Sequence, residues 1–249
     1  MSGLSEKEML NKLLRFNTPT VGNVVASYPE HAHCLGLYDP WKGRWYTDQS
    51  VRCMFPKMGR RIGYAVTMVL SLPDSEHPPV SYMDLIDALE RSRKPSIVVC
   101  QELFPPEILD RAGLFGGQSA TLYKACGVVG VIADGPLRDI DEVRALGVQH
   151  LMTGITSGHG NLAIRGVNVP VTVAGMDVAP GELVHMDENG ACKFPADRLA
   201  EVCDHIDAFS QEEADHAQLL LAAKNITDLK AAWKKVISKG VGLDEPALK

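Results

Sequence analysis

The sequence predicts an α/β protein organised around a parallel βαβ unit. Three observations carry that reading. Between Ser96 and Leu146 the chain runs strand, helix, strand, turn, helix. After Val148 it changes to short apolar segments separated by Gly, Pro and Asn turns. Both ends carry amphipathic helical patterns. Parallel strands need long crossovers, usually helices, so the alternation in the middle is the informative part.

Element by element, Met9, Leu10, Leu13 and Leu14 give the N-terminal segment one apolar face, and Thr18-Pro19-Thr20 marks a helix start running to Ala26. Residues 27–50, rich in Gly, Pro, Trp and Tyr, read as an irregular arm. Ile62 to Val69 is a strand, and Ser81 to Ser92 a helix with Ser81 as N-cap and Asp84 three positions on. Ser96 to Cys100 and Val128 to Ala133 are short buried strands, with a helix from Gln118 to Cys126 between them. Asp134-Gly135-Pro136 turns the chain into a helix over Ile140 to Leu146. His150 to Thr153 and Val169 to Val173 read as strands, and Gly175 to His185 as strand, Pro-Gly turn, strand, with Ala191 to Phe194 after a further turn. From Ala196 to Lys239 the pattern is helical, Leu199, Val202, Cys203 and Ile206 falling at i, i+3, i+4 and i+7, with a last helix over Thr227 to Ile237. The expected division is a main domain over residues 1–195 and a helical extension over 196–249.

With 249 residues, 45% of them hydrophobic, the chain is long enough for a sizeable core. The net charge is −6 and no basic block stands out, so a nucleic-acid partner is not expected. No apolar run approaches the roughly 20 residues of a spanning helix, and the N-terminus lacks a signal peptide's apolar core. Six scattered cysteines without CxxC spacing point away from zinc and dithiol chemistry and toward a reducing, cytoplasmic compartment. No GxGxxG strand end is present for a nucleotide-type cofactor.

Ligands of parallel α/β units gather at the carboxyl ends of the strands. Two such ends carry chemistry here. One leads past Glu102 to Gly116-Gly117-Gln118-Ser119-Ala120, where glycines before a helix leave amides free to cradle an anion. The other is Asp134-Gly135-Pro136-Leu137-Arg138-Asp139. Arg138 there can grip a carboxylate or enolate and Asp139 a hard cation. The alternative reading makes Asp139 the N-cap of the following helix and Arg138 a surface ion-pair partner. His159, in a Gly-rich loop, is either an acid or base at the rim or a solvated side chain. His185 and Asp187 read as structural, Lys124 as exposed, and His31-Ala32-His33-Cys34 as a turn rather than a metal cluster.

These residues resemble the family that includes the regulator of ribonuclease activity A and the class II pyruvate aldolases. The likeness runs from about Thr18 to Pro195. It is strongest over Gly127 to Glu142 and resumes at Asn168 to Val171, Val178 to His185 and Asp187 to Gly190. It implies a compact α/β sandwich with a swivelling-domain-like β-barrel core, assembled as a homotrimer or hexamer, with helical extensions at both ends here. It further implies a Mg2+- or Mn2+-dependent lyase that cleaves a 4-hydroxy-2-oxo acid to pyruvate, or decarboxylates oxaloacetate. By this resemblance the amides of Gln118, Ser119 and Ala120 hold the substrate carboxylate, Arg138 stabilises the enolate and Asp139 holds the metal. The aldolase fingerprint is an acidic residue, twenty spacers and Arg-Asp. Counting back from Arg138, the acidic position is Gly117, so this chain lacks that carboxylate. Glu102 is the candidate substitute. The missing acid leaves two alternatives open: a non-catalytic regulator binding a protein partner, or a dehydratase or isomerase of a sugar-derived acid using the same pocket.

Overall fold

The computed structural model describes residues 3–237. Helices α1 (Glu6–Leu13) and α2 (Thr18–Gly22) open the chain, each with the cap its sequence provides. Ser5 and Glu8 form a reciprocal capping box on α1, and Asn17 caps α2. A π-helical turn (Asn23–Ser27) leads into the irregular arm. There follow β1 (Arg52–Cys53), β2 (Arg61–Ser71), α3 (Tyr82–Arg91) with its Ser81–Asp84 capping box, and β3 (Ser96–Leu103). The centre continues through α4 (Pro106–Leu109), α5 (Gly117–Ala125), β4 (Val128–Ala133), α6 (Ile140–Leu146) and β5 (Gln149–Met152). Five short strands come next: β6 (Ala163–Val167), β7 (Val171–Val173), β8 (Met176–Val178), β9 (Leu183–Asp187) and β10 (Gly190–Phe194). Helices α7 (Leu199–Leu221) and α8 (Ile226–Ile237) end the described chain. The helical pattern expected to reach Lys239 runs beyond the described residues in its last two positions.

Strands β2, β3, β4 and β5 are parallel neighbours, as the βαβ reading requires. The eight-stranded sheet has the order β1-β5-β4-β3-β2-β9-β10, with β6 also on β2. Strand β2 is the splice of the sheet. Its first residues pair antiparallel with β9, and its last residues pair antiparallel with β6 across a bulge at Val69/Leu70. One strand serving two partners on the same edge lets the sheet curl toward a barrel.

The strands either side of Pro180-Gly181 do not form a hairpin with each other. Strand β8 pairs with β7, and β9 with β2 and β10. The turn is instead tied to the sheet by the Gly181 amide, which donates to Ala65 O at 2.9 Å.

The central strands are apolar throughout because both faces are covered. Val98 and Cys100 face a core shared with α3, α5 and α6. Ile97 and Val99 face the opposite core, closed by β7 to β10. A third core joins α1 and α2 to Leu199, Val202, Cys203, Ile206 and Phe209 of α7. The C-terminal helix thus covers the N-terminal helices rather than the carboxyl ends of the parallel strands. Among the described residues no helix is long and apolar enough to cross a membrane, and the six cysteines are free thiols.

Candidate active site at the strand ends

Three loops beyond the parallel strands lie side by side and extend the sheet. Leu137 forms parallel bridges to Phe115 on one side and Ile155 on the other. The Arg138 amide donates to Phe115 O, the Leu137 amide to Gly154 O and the Thr156 amide to Leu137 O, each at 2.9 Å. Phe115 and Leu137 are buried beneath. This ladder presents Gly116, Gly117, Arg138 and Asp139 at one place.

Asp139 stands at the N-cap of α6 but does not act as the cap. Its φ is 53°, in the left-handed region that Asp tolerates better than most residues, and its carboxylate makes no bond to the helix amides. It reaches across instead. Oδ2 accepts from the Gly117 amide at 3.1 Å, and Oδ1 pairs with Arg138 Nε at 3.3 Å. The Gly117 bond, with Arg138 beside it, holds the carboxyl below its ordinary pKa. Gly116 makes the approach possible: a Cβ there would lie 2.5 Å from Asp139 Oδ2 and 2.9 Å from Arg138 Cγ.

The start of α5 is an anion cradle with two open donors. Gly116 donates its amide to Ser119 Oγ at 2.9 Å, and Gly117 donates to Asp139. The amides of Gln118 and Ser119 have no partner among the described residues and stand in the first turn of α5, where the helix dipole favours an anion. Ala120 differs from expectation. Its amide already donates to Gly116 O at 2.9 Å and its side chain is buried, so it has no free donor.

Glu102 is not where a replacement acid is needed. It is buried and packs against the backbone of Gly135, where a Cβ would lie 2.5 Å from Oε1 and 2.6 Å from Cδ. Burial, with Asp134 nearby, pushes its pKa up to about 8. It does not line the cavity at Arg138.

The carboxylate at Gly117 comes from a residue to which the sequence reading gave no role. A Cβ built on Gly117 would collide with Glu142 Oε2 and lie 3.1 Å from its Cδ. Glu142 therefore occupies the space that a side chain at position 117 would fill. Glu142 is three residues beyond Asp139, in the first turn of α6, a spacing short enough in the chain for the two to share one site. That spacing was the available signal, masked because acids in a first helical turn are expected on dipole grounds alone.

Arg138, Asp139, Glu142, Gln118, Ser119 and His159 line one cavity of about 970 Å3. His159 is exposed on its rim. None of the other histidines lines this cavity. His185 is buried, with Thr18 Oγ1 2.9 Å from Nδ1, and burial lowers its pKa to about 4. His31 pairs with Glu212 at 3.3 Å beneath α7. Lys124 is exposed on α5.

Among the described residues no three His, Cys, Asp or Glu side chains converge as a closed metal cage. Asp139 and Glu142 fit a different ion. Mg2+ and Mn2+ are commonly held by one or two carboxylates, with water and substrate oxygens completing the shell. An all-oxygen donor pair is the set that Mg2+ and Mn2+ prefer.

A helix start with free amides facing an Arg–Asp pair, at the carboxyl ends of a parallel sheet, is an arrangement suited to a small acidic ligand. The chain belongs to the RraA-like family, Aldolase/RraA, whose model matches residues 36–192. It is 34% identical over 86 residues to the 4-hydroxy-4-methyl-2-oxoglutarate aldolase of Thermus thermophilus, covering 34% of this chain and 52% of that one. The chain spans about half the length of the curated relatives it matches. Among solved structures it resembles Streptomyces coelicolor RraAS2, an unusual member of the RNase ES inhibitor RraA family. The TM-score is 0.62, with 24% identity over 86% of this chain and 96% of that one. An uncharacterized protein from Pseudomonas syringae gives a TM-score of 0.65 at 20% identity, over 91% and 97% of the two chains. The nearly closed, barrel-like sheet with flanking helices is thus the fold of this family.

Proposed function

We propose that the chain is a divalent-metal-dependent lyase acting on a small 2-oxo acid, by retro-aldol cleavage of a 4-hydroxy-2-oxo acid to pyruvate or by decarboxylation of oxaloacetate. The observation that carries this reading is Glu142. The acid missing at Gly117 is replaced in space by a carboxylate from α6, so the cavity keeps an acid beside Arg138 and Asp139.

In this reading the amides of Gln118 and Ser119 bind the substrate carboxylate, and Asp139 and Glu142 hold Mg2+ or Mn2+. When bound, the cation supplies Lewis-acid stabilisation of the 2-oxo oxygen. The C4 hydroxyl loses its proton, for which His159 at the rim is the candidate acceptor. The C3–C4 bond breaks, and its electron pair moves onto the 2-oxo oxygen, where Arg138 donates to the developing enolate. Protonation at C3 then gives pyruvate. The exposed Leu72 and Leu103, at the ends of adjacent strands, support assembly as a homo-oligomer, testable by sedimentation.

The test is pyruvate release from oxaloacetate and from 4-hydroxy-2-oxo acids with Mg2+ or Mn2+, in the native chain and in Arg138→Ala. Metal-dependent release that falls at least 100-fold in the variant is expected. No release from any substrate, with no effect of the variant on 2-oxo acid binding, would sink the reading.

A further inference from the structure

We propose that the substrate carries an apolar alkyl or aryl group on C4 in place of a second carboxylate. The inference rests on the lyase reading for the bond that is broken, while its binding half stands on the cavity alone.

The cavity is far larger than a three-carbon acid needs. Its volume, about 970 Å3, lies at the top of the roughly 300–1,000 Å3 found for small-molecule sites. Its two halves differ in chemistry. The polar half is the start of α5 with Arg138, Asp139 and Glu142. The other half is formed by Met68, Leu70, Tyr82, Leu122, Tyr123 and Leu162.

Helix α5 sets the distance between the halves. Leu122 and Tyr123 lie four residues beyond Gln118 and Ser119, on the same face and about 6 Å farther along the axis. A 2-oxo acid anchored by its carboxylate at the amides therefore has apolar ground within reach of its C4 substituent. Met68 and Leu70, alternate residues of β2, form the floor, and both are buried. The Tyr123 hydroxyl lies 3.8 Å from Met68 Sδ and is buried, so it offers no strong polar handle.

Charge points the same way. The acidic and basic side chains that line the cavity are Arg138, Asp139 and Glu142, with the imidazole of His159 at the rim. Arg138 serves the 2-oxo oxygen in the lyase reading, and no lysine or second arginine is among the lining residues. A second substrate carboxylate lying against Met68, Leu70, Leu122 and Leu162 would have no cationic side chain beside it, which is costly to desolvate. The Thermus relative is named for a substrate that is a diacid, and the cavity here is built for a different class. Cleavage balances without a co-reactant: the C4 hydroxyl proton leaves, C3–C4 breaks, C4 becomes the carbonyl of an apolar aldehyde or ketone, and protonation at C3 yields pyruvate.

The test uses the full chain with Mg2+ and two readouts. Calorimetry compares the non-cleavable 2-oxobutanoate, 2-oxo-4-phenylbutanoate and 2-oxoglutarate, which differ at C4 by hydrogen, phenyl and carboxylate. The phenyl acid is expected to bind at least ten-fold more tightly than 2-oxoglutarate, since several apolar carbons leave water. Tyr82→Lys, at a half-exposed position, is expected to narrow or invert that ratio. Equal or tighter binding of 2-oxoglutarate, or a ratio unmoved by Tyr82→Lys, overturns the inference. Pyruvate release is then measured from 4-hydroxy-2-oxo-4-phenylbutanoate and 4-hydroxy-2-oxoglutarate. Preferred cleavage of the diacid overturns the inference and leaves the lyase reading standing. Phenyl-selective binding without cleavage of either compound overturns the lyase reading and keeps the apolar pocket.

Discussion

Moving the carboxylate of Glu142 back to position 117 separates a functional acid from an incidental one. The geometry allows one carboxylate in that space, because a Cβ on Gly117 collides with Glu142 Oε2 and comes within 3.4 Å of its Cβ. Glu142→Ala empties the space and removes a charge. Losing one oxygen ligand or its support is worth about 10- to 100-fold in metal affinity, or about 1.4–2.8 kcal/mol. Gly117→Asp alone crowds two acids together and is expected to distort the site by a similar factor. The pair Gly117→Asp with Glu142→Ala is expected to recover most of the affinity, so the double-mutant coupling exceeds about 1 kcal/mol and opposes the sum of the single losses. Glu142 lies at the exposed start of α6, so circular dichroism of the singles is expected to match the native chain. Mn2+ titration followed by electron paramagnetic resonance reads the affinity, and pyruvate release reads the chemistry. Unchanged Mn2+ binding in Glu142→Ala, or a double variant no better than the product of the singles, would refute a shared place for the two carboxylates.

Three other outcomes follow from the same geometry. Gly116→Ala pushes on Asp139 and Arg138, whose atoms lie 2.5 and 2.9 Å from the new Cβ; activity is expected to fall about 100-fold, the cost of roughly 1 Å of misplacement, with a melting temperature within a few degrees of native. Asp139→Asn keeps a residue tolerant of the left-handed backbone and removes the charge, so Mn2+ affinity should fall while stability holds; Asp139→Ala should lower both, and equal melting temperatures for the two would remove the backbone part of the account. Glu102, with its pKa raised from 4.5 to about 8, binds a proton in the folded chain that the unfolded chain has released. Stability is therefore expected to fall as pH rises through that window, by at most about 5 kcal/mol. Denaturant melts at pH 5 and pH 8 should show this slope in the native chain and lose most of it in Glu102→Gln.

The parts of the fold legible in the sequence are those set by local physics. The capping box at Ser81 and the apolar runs at Ser96 and Val128 each specify their element with short-range information. The pairing of strands beyond the βαβ unit was not legible. Pro180-Gly181 reads locally as a hairpin turn, but β2 is long enough to take β9 and β6 as partners at different points along its length. At the site, Arg138 and Asp139 are visible as a motif and Gly117 as a missing acid. What fills the gap is a matter of three dimensions. Glu102 sits at the right strand end but points behind Gly135, whereas Glu142 looks in sequence like any acid at a helix start. The left-handed backbone at Asp139, which turns its carboxylate away from its own helix, has no local signature.

The loop ladder through Phe115, Leu137 and Ile155 bears on where motion can occur. Backbone held on both sides by 2.9 Å hydrogen bonds has little freedom left to lose when a ligand arrives. Arg138 and Asp139 therefore stand at the edge of an outgrowth of the β-sheet, with Glu142 beside them on the first turn of α6, and little binding energy is needed to assemble them. The rim at His159, Gly160 and Asn161 is exposed. The cavity thus joins a fixed wall that carries charge to a rim that faces solvent.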